Sequence, residues 1–289
     1  MDERTRRLRD VCEPIGANVY FAPEAHERYR ALGMNGASGY FCSRSASMGQ
    51  LDGWTVAATF GVFSPNVVVP AVAAGWAVTD RASVLRARYD GATASLRRLL
   101  VQPDEAHIRR AVERLQRGLE VAHHAGHPIF SGLKSLPWPD EPLGQLWRCC
   151  DMVREHRGDS HIAVWTRAGI APVEIQLMEE LRRHIPLKTY SRTRGYTDEE
   201  MDAALEGMRR KGWVEGDALS EEGRRLRDEI ENDTDAMEVN IVEAIGADFT
   251  PLIDILRRWA VTIVKAGIAG GGYPGDINEL GGMATRSWS

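Results

Sequence analysis

Apolar positions along this chain recur every three to four residues in segment after segment, and strand-like alternation is absent from its first half. That period predicts helices. Leu8, Val11, Cys12 and Ile15 mark one face of a first helix over Arg4–Val19, which Pro14 kinks or ends. Pro23 opens a second helix, to Arg30, which Gly33 closes. Further helices are predicted over Tyr40–Met48, Trp54–Phe63, from Pro65 through Ala74, over Arg81–Leu100 behind a Thr79-Asp80 cap, and from Asp104 through Ala125. Leu85, Tyr89, Leu96 and Leu99 form a core stripe in one; Ile108, Val112, Leu115 and Leu119 do so in another. Beyond a Pro-rich bend at Leu136–Pro142, Leu143–His156 reads as a helix ending at Arg157-Gly158, and Asp159 or Ser160 as the cap of the next, His161–Ala168. Pro172 starts a helix to His184, and Pro186 a short one.

The pattern changes between Tyr196 and Arg227. Thr197 with Glu200 three residues on has capping-box spacing, and Met201, Ala204, Leu205 and Met208 give one apolar face. Gly212 follows Arg209-Arg210-Lys211 and stops that helix. Trp213 and Val214, a turn at Glu215-Gly216-Asp217 and Leu219 then read as a tight hairpin, and Ser220 opens another helix. Helix, strand, turn, strand, helix is the layout of a winged helix-turn-helix. The predicted fold is therefore mainly α. It has a helical ligand-pocket domain over residues 1–157 and a winged helix-turn-helix with a small β-wing over 158–237. A C-terminal helix is assigned to 238–268, its helical pattern running over Thr250–Ala266, and a Gly-rich tail, 269–289, is expected to be disordered.

Charge changes what such a fold implies. From Lys188 to Asp233 there are nine cations against thirteen anions. A helix that reads the major groove presents its N-terminal residues to the DNA, and here these are Asp198, Glu199 and Glu200. The wing tip is acidic too. Phosphate contacts need Lys or Arg, so DNA is disfavoured as a partner. The whole chain of 289 residues has a formal charge of −5 and a pI near 5.9, so no overall basic field invites nucleic acid or an anionic membrane. The apolar run from Val67 to Val78 is too short to span a bilayer, and MDERTRRLRD lacks the apolar core of a signal peptide. Four cysteines without CxxC spacing read as reduced thiols, and the expected location is the cytoplasm.

The densest polar cluster is Glu155-His156-Arg157-Gly158-Asp159-Ser160-His161. Asp159 paired with His156 or His161 would make an acid–base pair; equally, Asp159 is an N-cap and His156 a helix-end residue. The five-residue spacing of His156 and His161 does not suit metal ligation, and His123 with His127 lacks a third ligand nearby. No metal ligand set is assigned, and the cofactor, haem or metal included, stays open. A second group is Asn18, Tyr20, Tyr40 and Arg44: an Arg in the apolar stretch YFCSRSASMG needs an anion, either Glu13 or an acidic ligand. The tryptophans, among them Trp138 and Trp147, read as core residues or as walls of an aromatic pocket. No Walker loop, GxGxxG before a helix, GxSxG or HExxH is present.

Three passages, EPIGANVYFAPEAHERYRALG, WPDEPLGQLWRCCDMVREHRGDSHIAV and TRGYTDEEMDAALEGMRRKGWVEGDALSEEGRRLRD, resemble actinobacterial helix-turn-helix proteins with a helical N-terminal half and a MarR-like winged helix after it. The resemblance covers roughly residues 5–235 and is most specific at REHRGDSH. Its polar positions fall on Tyr20, Tyr40, Arg44, His156, Arg157, Asp159 and His161, and its pattern has a His where this chain has Gly16. Some such proteins lie in secondary-metabolite gene clusters, so the resemblance implies either a biosynthetic enzyme or a regulator. The first expectation is a small-molecule-binding protein, plausibly such an enzyme. In it His156, Asp159 and His161 are catalytic, Tyr20, Tyr40, Arg44, Arg157 and Asn18 bind ligand, and the winged helix serves packing or homodimerisation. The alternative is a MarR-like, ligand-responsive regulator that binds DNA as a dimer. A third reading is an interaction module with no pocket.

Overall fold

The structure, a computed structural model, describes residues 3–101 and 103–266. It is mainly helical, with one small two-stranded sheet. The chain runs through α1 (Glu3–Ala17), α2 (Pro23–Ala31), α3 (Gly36–Ser45), α4 (Gly53–Phe60), α5 (Pro65–Val78), α6 (Arg81–Leu99), α7 (Glu105–Val121) and α8 (Pro128–Lys134). Next come α9 (Pro142–Arg167), α10 (Pro172–Arg182), α11 (Asp198–Arg210), β1 (Val214–Glu215), β2 (Ala218–Leu219), α12 (Glu221–Met237), α13 (Val239–Ile245) and α14 (Phe249–Lys265).

Local chemistry sets most of these starts. Asn35 and Ser38 cap α3 reciprocally. Asp52, Ser64, Asp80 and Asp104 accept from the first backbone N–H groups of α4, α5, α6 and α7, satisfying donors that a helix leaves orphaned. The Thr197–Glu200 capping box forms on α11, and Ser220 caps α12. β1 and β2 pair antiparallel with Val214 opposite Leu219, turning at Gly216, whose φ is +59°. The short helix expected at Pro186 is replaced by a 3-10 turn over Ser191–Arg194. α7 ends at Val121, four residues short of the expected Ala125, and α8 begins at Pro128. The tail 269–289 lies outside the described residues.

The expected break at Arg157-Gly158 does not occur: α9 runs unbroken for 26 residues, across the 157/158 boundary. Gly within a helix costs about 1 kcal/mol relative to Ala, too little to break a helix packed against several others, and a side chain there would meet its neighbours only at ordinary contact distance. The position of a Cβ on Gly158 lies 3.7 Å from Glu155 Oε2 and 4.0 Å from Arg44 Nη2. Asp159 does not cap α9 either. It reaches across to α8, where its carboxylate accepts the N–H groups of Ile129 and Phe130 at 3.0 and 3.1 Å.

α9 organises the molecule. It packs against α1, α4, α6, α7, α8 and α12. At the α1 crossing a Cβ on Gly16 would stand 3.0 Å from backbone atoms of Asp151 and Cys150, and the Trp147 indole donates to the Gly16 carbonyl at 3.0 Å. A His at position 16 would force these helices apart. One core runs from α1 to the first half of α9 and includes α13 and α14, which return to the bundle. A second core spans Trp165 to Ile230. No single helix among the described residues is long and apolar enough to cross a membrane.

Candidate functional site

α9 carries a row of polar residues, Arg148, Asp151, Glu155 and Asp159, at spacings of three and four, so they share a face. Glu155 accepts from Arg44 Nε at 2.8 Å and Nη2 at 2.7 Å, a bidentate pair, and also pairs with Arg154. Burial alone would raise this carboxyl, but Arg154 and Arg44 outweigh it and hold it at about 2. The expected partner of Arg44, Glu13, binds Arg154 instead, at 3.0 Å. Asp151 is fully buried and pairs with Arg88 at 2.9 Å, and Arg88 donates to the Tyr20 hydroxyl at 2.7 Å. Tyr40 accepts weakly from Arg44 at 3.4 Å. Asn18 is buried and donates to the Ile15 carbonyl. Arg44 thus finds its anion inside the protein, and of the residues expected to bind ligand Tyr20, Tyr40 and Arg44 gather around Glu155, whereas Asn18 bonds to backbone.

The histidines separate. His156 is fully buried; its Nδ1 lies 2.8 and 2.9 Å from the two oxygens of Glu238, and its Nε2 3.2 Å from the His123 carbonyl. Its carboxylate partner is thus Glu238 and not Asp159. Ser160 donates to Glu238 at 2.7 Å and lies 2.8 Å from His127 Nε2. His127 and His156 stack with centroids 3.9 Å apart and planes within 6°. These two rings and Glu238 bring ligand-type atoms within 4.8 Å of one another. Ring-nitrogen lone pairs lie in the ring planes, and parallel planes do not converge on one ion, so the geometry suits hydrogen bonding better than shared ligation. His161 meets Thr234 Oγ1 at 3.2 Å; burial, then the charge of Arg227, push its imidazole down to about 3. Arg157 bridges Glu231 at 3.0 Å and Asp235 at 2.7 Å, tying α9 to α12.

The feature that faces outward lies elsewhere. A cleft of about 440 Å³ lies between α6 and the Leu136–Pro142 bend, lined among others by Tyr89, Trp138, Trp147, Glu141 and Arg148. Trp147 forms its buried floor and Trp138, 41% exposed, stands at its edge. Gly144 makes room for the wall: a Cβ there would meet the Tyr89 hydroxyl at 2.2 Å. None of His156, Asp159 and His161 lines this cleft. Sequence reasoning flagged the two tryptophans but missed Arg88, Arg148, Asp151 and Glu238. The polar row on α9 was the available signal for Arg148 and Asp151.

A family model described as a helix-turn-helix family matches residues 5–270. The chain belongs to that helix-turn-helix family. Comparison with curated proteins and with solved structures finds no match. In this helix-turn-helix protein the family match spans the bundle as well as α10–α12, so the helical half belongs to the family's common plan.

Asp159 offers a test of the helix-to-helix cap. Burial, then the charge of Glu155, raise its carboxyl to about 7. The folded value lies above the unfolded one, about 3.9, so its contribution to stability is complete below about pH 4 and is lost as pH rises through 7. Asp159→Asn keeps an oxygen acceptor for Ile129 and Phe130 and does not ionise. Its stability relative to wild type should improve between pH 4 and 7, by at most about 1.4 kcal/mol per pH unit, and level off above. Urea denaturation at intervals across that range reads this directly, and parallel profiles would count against it.

Proposed function

We propose that this protein is a ligand-responsive transcriptional regulator. In this reading α10 and α11 are the helix-turn-helix, β1 and β2 the wing, and the bundle the sensor. One observation carries it: the continuous helix α9 lines the cleft with Trp147 and Arg148 at one end and enters the second core with Trp165 at the other. A ligand that shifts the first half of α9 therefore acts on the helix whose far end shares a core with α10 and α11 through Trp165 and packs against α12. The family match supports the DNA half of the reading. The first expectation, a biosynthetic enzyme, is less well supported than this alternative: His156, Asp159 and His161 have protein partners and do not line the cleft.

The acidic start of α11 is partly neutralised. Asp198 pairs with Arg192 at 2.5 Å and Asp202 with Lys188 at 2.6 Å. Glu199 and the wing tip remain exposed and repel phosphate. Binding thus depends on base contacts more than on the backbone. A MarR-like homodimer with its two recognition helices about 34 Å apart would reach successive major grooves.

The test is selection of duplex from a random library by the full chain, followed by anisotropy on the enriched sequence at several salt concentrations. The expected result is sub-micromolar binding to one near-palindromic sequence, with log K against log salt falling by only about 2 to 3, since few phosphates are neutralised. No enriched sequence at about 50 mM salt would overturn the reading.

A further inference from the structure

Arg148 stands out among the buried charges. It is 6% exposed and lines the cleft. Every other buried arginine described here, Arg44, Arg88, Arg157 and Arg227, has a carboxylate within 3 Å. Arg148 has no ion pair among the described residues. Its Nη1 donates to the Leu133 carbonyl at 3.3 Å, and its Nε has no partner. Asp151, one helical turn away, attracts it but is bound to Arg88 through both oxygens. The one carboxylate of the cleft that is partly buried, Glu141, is likewise committed, to the Tyr89 hydroxyl at 3.1 Å and to Arg97. Burial without a counter-ion lowers the Arg148 pKa. A desolvated guanidinium with free donors is costly unless an anion meets it.

The walls beside it are aromatic. Tyr89 and Trp147 lie edge to face at 6.1 Å, and Arg88 sits 4.8 Å from the centre of the Trp147 ring, on one face. Trp138 projects from a loop held between Pro137 and Pro139, a rigid setting for an exposed indole. A cleft of about 440 Å³ is of the size that takes a small ring system.

We infer that this cleft is the binding site for a small aromatic molecule bearing a carboxylate or similar anionic group. Its anion meets Arg148, and its ring lies between Trp138 and the Tyr89–Trp147 wall. As an effector site this rests on the regulator reading; as a binding site it stands by itself.

Calorimetric titration of the full chain with benzoate and 2-naphthoate, and with the neutral isostere 2-naphthamide, tests it. One saturable site is expected, with 2-naphthoate at least about tenfold tighter than the amide, the discrimination that one charge-assisted contact provides. Arg148→Met should weaken 2-naphthoate by at least about tenfold and the amide far less, so that the preference disappears, a pattern that misfolding does not produce. Trp138→Ala, on an exposed loop, should weaken acid and amide alike in a protein with an unchanged melting curve. Acid and amide binding equally, a preference that survives Arg148→Met, or no heat from either acid at millimolar concentration would each overturn the inference. Repeating the DNA titration with 2-naphthoate separates the two readings. Binding in the cleft with unchanged DNA affinity overturns the effector role and leaves the site, whereas absence of cleft binding overturns the site and leaves DNA recognition to its own selection experiment.

Discussion

Glu155→Gln is expected to destabilise the fold by about 3–5 kcal/mol, the penalty for stranding a buried charge. Glu155 is 1% exposed and is the carboxylate on which Arg44 and Arg154 converge from different directions. Arg154 keeps Glu13 when Glu155 is neutralised. Arg44 has no such reserve: its remaining contacts are the Tyr40 hydroxyl at 3.4 Å and the face of Phe60, 4.3 Å from the guanidinium. A Gln in place of the carboxylate turns an N–H₂ towards one of the two guanidinium groups, so a donor faces donors. Urea denaturation at pH 7 should show the loss as a lower midpoint at unchanged slope. Arg44→Met combined with Glu155→Gln should be less damaging than Glu155→Gln alone, because no unpaired guanidinium is left in the core. The acid limb gives an independent reading. The folded carboxyl sits at about 2, below its ordinary value, so its contribution is complete above about pH 4.5 and is lost as pH falls through 2; the Gln variant should lack that part of the acid transition. A single variant within about 1 kcal/mol of wild type would mean that the three groups are solvated and not locked.

The same residues show how far the chain could be read unaided. Capping and turn chemistry is local, so Thr197 with Glu200, Ser220 and the Gly216 hairpin are legible, and so is the mainly helical plan with its small two-stranded sheet. Gly158 and Asp159 carry the same kind of local signal and mislead, because tertiary contacts decide there. Gly158 stays helical inside the packed α9, and Asp159 caps another helix. Partnerships between distant segments were not legible at all. Arg44 and Glu155 are 111 residues apart, and His156 and Glu238 are 82 apart, and no local pattern chooses Glu155 over Glu13. The candidate residues were correctly seen as polar groups in apolar surroundings. The sequence could not show that the protein itself supplies counter-ions for Arg44 and Arg157. Arg148, which lacks one, was hidden by the same logic: in the sequence it resembles any cation on an amphipathic helix.

His156→Ala is the other substitution with a large expected effect, about 3–5 kcal/mol from a lost buried hydrogen bond to a carboxylate together with the cavity left by the ring. The ring stacks on His127, meets Phe130 edge-on at 4.9 Å and holds Glu238 through Nδ1. Glu238 sits at the turn between α12 and α13, where the chain leaves the second core and returns to the bundle. Removing the imidazole leaves a carboxylate, on a residue 5% exposed, with Ser160 as its one remaining side-chain donor among the described residues. The destabilisation should therefore be local first: the amides of α13 should exchange hydrogen faster, while those of α2 and α6 should change little. His156→Asn should recover part of the loss, because its amide nitrogen stands close to the place of Nδ1 and can donate to Glu238, although it does not fill the ring's volume. A catalytic role predicts the reverse pattern, with stability kept and turnover lost equally in the Ala and Asn variants. The affinity of the Arg148 cleft for 2-naphthoate should be unaffected by either variant under conditions where both remain folded, since His156 does not line that cleft. Unchanged stability on removing His156 would mean that the α9–Glu238 link does not hold the two cores together, and their connection along α9 would then depend on Arg157 and its bridge to α12.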